Sequence, residues 1–241
     1  MKKSLIAMVT CFMLCLLALA GGAEAAFTDI SDPETATAAA VLQGLGIISG
    51  TSAATFEPGG TLTRAELCTM AVNAMGLSEQ AGAYARRTMF SDVPGLAWYN
   101  GYVNLAASEG LVSGHGDGTF GPEEPVTYGQ AATILLRLLG YTSAETGSVW
   151  PQDYTGYCES LGLSDGLGLT DYQAITRGQA AVLFYRAVRQ TVNGSDQAFY
   201  ETIDGVASTE EVILLETGAE HGGGTGLLMV YSLNGTDGLS Y

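Results

Sequence analysis

Few residues in this chain have the chemistry for catalysis. Histidine occurs only at positions 115 and 221, so a Ser-His-Asp set or a zinc site has almost no material. His221-Gly-Gly-Gly224 has the look of an oxyanion segment, but no Gly-x-Ser-x-Gly elbow accompanies it. Glu123 and Glu124 are adjacent loop carboxylates of the kind that is ordinarily just solvated. The stretch Gly114 to Phe120, GHGDGTF, lacks the spaced carboxylates of an EF-hand loop and reads as a tight turn. Cys68 and Cys158 lie among apolar helical residues and are expected as buried thiols rather than a bridge. No catalytic residue, metal site or cofactor is expected.

The arginines are more informative. In GTLTRAELCTMAVNAMGL, residues 60–77, Thr63 and Glu66 form a capping box before an apolar run at helical spacing. Arg64 then falls on the first helical residue, where the helix dipole disfavours a cation by about 0.3–1 kcal/mol. Thr176, Arg177 and Gln179 repeat the pattern. A helix start offers unpaired amides, and a guanidinium adds two directed donors matched to a carboxylate. The misfit makes sense if an acidic ligand lies over the cap. The plainer reading is a surface arginine, or one paired with Glu57 or Asp171. At the corresponding position of a third such segment, VTYGQ, stands Tyr128, which can stack on a flat apolar face but cannot grip a carboxylate. Trp98 is a second candidate for stacking, and Trp150 a weaker one.

The elements that must position these groups recur along the chain. Phe27-x-Asp29 and Phe90-x-Asp92 each precede an apolar helix. Each helix is followed by Gly-[IL]-[IV]-Ser-Gly (46–50, 110–114), then Thr-Phe-x-Pro (55–58, 119–122), then the cap. A third copy keeps Asp153, a glycine turn at 162–166 and the Thr176 cap, but has lost Thr-Phe-x-Pro. Each unit reads as helix, glycine turn, short extended piece, helix. The second helices, about 64–75, 128–139 and 177–188, are apolar nearly all round and need neighbours on more than one side. Residues 1–25 read as a secretory signal cut after Ala25, and no other membrane segment is expected. Removing them takes both lysines and Glu24 from a chain of formal charge −16, leaving seven arginines against 24 acidic residues. That balance excludes nucleic acid as a partner.

Phe-x-Asp, the glycine turn, Gly-x-Phe-x-Pro and especially LTRAE resemble the S-layer homology (SLH) domain family, over about residues 27 to 190. The resemblance implies a mainly α fold: three helix–loop–helix repeats in a pseudo-threefold arrangement around a central three-helix bundle. A small C-terminal β-hairpin is expected after them. The divisions are 26–78, 79–141 and a degenerate 142–192, then 193–241 as linker and short β-rich segment. The implied function is an exported anchoring module on the bacterial cell wall or cell surface. It would bind anionic, pyruvylated secondary cell-wall polysaccharide non-covalently. Arg64 and Arg177 would carry that binding, with Thr63, Thr176, Trp98 and Tyr128 as further glycan contacts. Two readings compete. One is a structural or protein-interaction module that has lost glycan binding, which Tyr128 and the worn third copy favour. The other is a cell-wall glycan hydrolase, which the scarcity of histidine disfavours.

Overall fold

Three threonines set the frame. Thr63, Thr127 and Thr176 each accept the amide three residues on, and the Glu66, Gln130 or Gln179 side chain there returns to the threonine amide at 2.8, 3.0 and 3.0 Å. These reciprocal caps start the helices α2 (Arg64–Ala74), α5 (Tyr128–Leu138) and α8 (Arg177–Val188). Each helix buries most of its residues, as its apolar circumference requires. The computed structural model describes residues 27–203, so the expected signal segment and C-terminal hairpin lie outside the described residues. The remaining helices are α1 (Pro33–Gly44), α3 (Ala81–Tyr84), α4 (Asn100–Ser108), α6 (Ser143–Thr146) and α7 (Gln152–Ser160). Two 3-10 turns, Ser78–Gln80 and Phe199–Thr202, complete a mainly helical fold in which the described residues form isolated bridges. At α1, Asp32 accepts the Thr35 amide at 2.8 Å and Pro33 takes the first helical position.

The two long helices of one unit scarcely touch each other. α4 lies on α2, α7 on α5, and α1 on α8. The first helix of each unit therefore covers the second helix of the unit before it, and the first unit closes onto the third. Backbone hydrogen bonds follow the same order. The amides of Arg64 and Ala65 donate to the carbonyls of Glu124 and Pro122, at 3.0 and 2.9 Å. Those of Tyr128 and Gly129 donate to Gln173 and Asp171, and those of Arg177 and Gly178 to Gly60 and Pro58, all at 2.8–2.9 Å. Leu62, Val126 and Ile175, each one residue before a cap, are buried and linked through Val126 N–H to Leu62 C=O and Ile175 N–H to Val126 C=O. The expectation of open amides at the helix starts is thereby corrected. The first two are taken by a neighbouring unit and the third by the threonine, leaving no amide cradle for an anion.

The Phe-x-Asp motif is a clasp for the loop after the glycine turn. Asp29 accepts the amides of Phe56 and Glu57 at 2.9 and 2.7 Å, and Asp92 those of Phe120 and Gly121 at 2.8 and 2.7 Å. Phe27 and Phe90 rest against Phe56 and Phe120 with ring centroids 5.3 and 5.2 Å apart. A Cβ added at Gly114 would run into the Thr119 carbonyl and the Phe90 ring, so the turn passes too close for any side chain. The described part of the segment expected as linker folds back instead of standing free. Asn193 N–H bonds to Leu139 C=O, and Phe199 and Ile203 bury their side chains.

Tyr128 is 1 % exposed, its hydroxyl donating to Thr155 C=O at 3.3 Å, and burial pushes its phenol up to about 12. It is a core residue, not the sugar platform that the sequence suggests. Tyr128→Ala is expected to cost about 3–5 kcal/mol in denaturant unfolding, as for other buried aromatic truncations, and Tyr128→Phe about 1 kcal/mol.

The Phe56 and Glu57 amides hold the Asp29 carboxyl below its usual range. At Asp92 partial burial pushes upward, but the Gly121 and Phe120 amides outweigh it and the carboxyl is lowered. A lowered folded-state pKa gives stability that is complete above the unfolded value of about 4 and lost as pH falls through the folded one. The melting temperature should therefore drop below about pH 4, and Asp29→Asn with Asp92→Asn should flatten that acid limb.

Candidate functional site

Arg64 starts helix α2 of the first unit, yet its side chain belongs to the second. Its Nε donates to Phe120 C=O at 2.9 Å and Nη2 to Ser113 C=O at 3.2 Å, with Cζ 4.4 Å from the Phe120 ring centroid. Arg177 of the third unit does the same to the first unit. Its Nε donates to Phe56 C=O at 2.9 Å and Nη2 to Ser49 C=O at 3.1 Å, with Cζ 4.9 Å from the Phe56 ring. The cation at a helix start is thus compensated by two carbonyls and an aromatic face, which removes the need for a ligand to explain it. The loss of Thr-Phe-x-Pro from the third unit also leaves Arg177 unharmed, since its wall is Phe56.

Each guanidinium borders an open groove. The Arg177 groove, about 240 Å³, runs along Ile47 to Thr51 and the α2 face Glu66, Thr69, Met70 and Asn73, with Trp98 at its edge. The Arg64 groove, about 280 Å³, runs along Leu111 to His115 and the α5 face Gln130, Thr133, Ile134 and Arg137, with Trp150 and Tyr154 beside it. The two are built from matching positions. Each takes an arginine from the unit before, a glycine turn and helix from its own unit, and an indole from the unit after. Trp98 is 63 % exposed and Trp150 48 %, so both present ring surface, and Trp150 Nε1 donates to Thr133 Oγ1 at 3.0 Å.

At the third corresponding place, Tyr128 stands where the others have arginine. The matching face of α8 is Gln179, Val182, Leu183 and Arg186, of which Val182 and Leu183 are buried. Thr63 and Thr176, expected beside the ligand, line neither groove, because their hydroxyls serve the caps. Thr69 and Thr133 line them instead. This helix face is absent from the sequence-based expectations, although its signal is present: 66, 69, 70 and 73, like 130, 133, 134 and 137, are one face at helical spacing. The thiols of Cys68 and Cys158 are free and buried, and burial pushes both up to about 12, out of the range of a nucleophile. No helix among the described residues is long and apolar enough to cross a membrane.

Comparison with known proteins agrees with this construction. The S-layer homology domain matches residues 26–68 and 90–132. A cell surface protein of Thermoanaerobacter kivui is 34 % identical over 226 residues, covering 90 % of this chain and 29 % of its own length. A surface layer protein of Brevibacillus choshinensis is 35 % identical over 132 residues, 55 % of this chain and 12 % of its own. A middle cell wall protein of Brevibacillus brevis is 33 % identical over 148 residues, 61 % of this chain and 14 % of its own. The chain spans less than a third of the length of these relatives. Both matched segments hold the Phe-x-Asp clasp, the glycine turn and the capped helix start described above, and they identify residues 26–68 and 90–132 as two S-layer homology repeats.

Proposed function

We propose that the chain is a cell-surface anchoring module of a bacterium, exported and held on the cell wall by non-covalent binding of an anionic, pyruvylated wall polysaccharide. The observation that carries this reading is the twofold construction of one constellation: a guanidinium, a polar helix face and an exposed indole around an open groove. Guanidinium donors suit a ketal carboxylate, and an indole face suits the apolar side of a sugar ring. The names of the three relatives given above, each a surface or wall protein, support the location. The chain acts as a binder, not an enzyme, and needs no cofactor. We take residues 142–192 as a third, degenerate repeat, and the three units as related by an approximate threefold axis; the cyclic order of helix packing supports both.

A structural or protein-interaction role is the second reading, favoured by one observation: Tyr128 is buried at the place where the other two units have a groove-lining arginine. Sedimentation with purified walls separates the two. The full chain should pellet with walls, and a soluble pyruvylated wall glycan should release it. Arg64→Lys with Arg177→Lys keeps the charge but gives up the planar fork, and should weaken retention by roughly tenfold or more. Far-ultraviolet circular dichroism and melting temperature report whether the variant is folded. Full retention by a folded double variant overturns the arginine mechanism, and release of reducing sugar from walls by the chain alone would overturn the non-enzymatic reading.

A further inference from the structure

The two grooves match in geometry but not in charge. Glu66 lines the Arg177 groove and caps α2 through Oε2, while its Oε1 lies 3.5 Å from Arg177 Nη1. The matching residue in the Arg64 groove is Gln130, which makes the same cap with no charge. Further along the same helix face, Asn73 in the first groove is matched by Arg137 in the second. Arg137 Nη1 donates to the carbonyls of Gly110 and Leu111 at 3.1 and 2.9 Å. Neither Arg64 nor Arg137 forms an ion pair among the described residues. The carboxylates nearest Arg64 are engaged elsewhere: Glu124 lies 3.1 Å from His115, and Asp92 accepts two loop amides.

A chain with so few cations has therefore placed two of them along one groove with no carboxylate in contact, Glu124 and Asp92 acting on Arg64 only through space, and has paired the cation of the other groove with Glu66. Arg64, 8 % exposed and held by two carbonyls and a ring but by no carboxylate, has lost much of its water and still has charge to offer an incoming anion. Arg177, already facing Glu66, gains less, because a ligand carboxylate there meets a carboxylate within the same groove. The Glu66 oxygens and Asn73 suit sugar hydroxyls instead.

We infer that the grooves divide the ligand between them: the Arg64–Arg137 groove takes the acidic sugar, and the Arg177–Glu66 groove takes an uncharged sugar. This rests on the glycan-binding reading above and assigns its specificity to the residue pairs 66/130 and 73/137. A polymer that alternates acidic and neutral residues would engage both grooves at once, and one uniformly acidic would engage chiefly the second.

The chain contains two tryptophans, one at each groove, so the two indole N–H resonances report the grooves separately. The probes are the methyl glycoside of a 4,6-pyruvylated hexose and its neutral methyl ester, titrated into the full-length protein, with the resonances assigned by Trp98→Phe and Trp150→Phe. The acid should shift the Trp150 resonance at about tenfold lower concentration than the Trp98 resonance, and the ester should remove that preference. Glu66→Gln and Gln130→Glu exchange the charges while keeping caps this protein already uses. The first should strengthen acid binding at Trp98, and the second should weaken it at Trp150. Three outcomes overturn the division while leaving glycan binding intact: equal acid affinity at both indoles, tighter acid binding at Trp98 than at Trp150, or indifference to the exchange. Silence of both indoles to both probes at millimolar concentration overturns the division and the glycan reading together.

Discussion

The fold depends on one arrangement of backbone hydrogen bonds. Helices α2, α5 and α8 each start with two amides that a neighbouring unit satisfies, and the donors run from unit one to two, two to three and three to one. A buried, unpaired amide costs on the order of 1–3 kcal/mol, so no unit can complete its own helix start. The apolar surfaces impose the same condition, since α1 rests on α8, not on the helix that follows it. The units form one cooperative body, unlike a linear array in which each repeat meets only its sequence neighbours.

The same exchange constructs the grooves. Because a helix start sits against the next unit's glycine turn, its first side chain is delivered into that unit's loop. A long planar cation there can straddle two carbonyls and lie on a phenylalanine ring, as Arg64 and Arg177 do. Where the receiving unit has lost that phenylalanine, a tyrosine fills the space and bonds a single carbonyl. Tyr128 and the missing Thr-Phe-x-Pro motif, which look in the sequence like two separate defects, are one packing solution.

Local physics is legible in the residues. The three capping boxes, the proline at the start of α1 and the extents of α2, α5 and α8 follow from short-range rules, and each is in place. The roles of Arg64 and Arg177 are half legible. Their position at a helix start is plain, but their partners lie 49 to 128 residues away, and no local rule names them. An anion over open amides fails for the same reason, because those amides are filled from another unit. Thr63 and Thr176 look like ligand contacts because the caps and the arginines are adjacent in sequence, whereas the arginine side chains leave the caps altogether. The helix face that lines the grooves carries a periodic signal, hidden because the whole helix is apolar and every face looks like core.

Interleaving has a consequence for anyone who divides the chain at its recognisable segments. A fragment ending at residue 141 would retain every position that the family pattern matches, at 26–68 and 90–132. It would nonetheless lack Arg177 from one groove and Trp150 from the other, and α1 would have lost the helix it covers. Removing one unit therefore strips lining residues from grooves that lie mostly on the others.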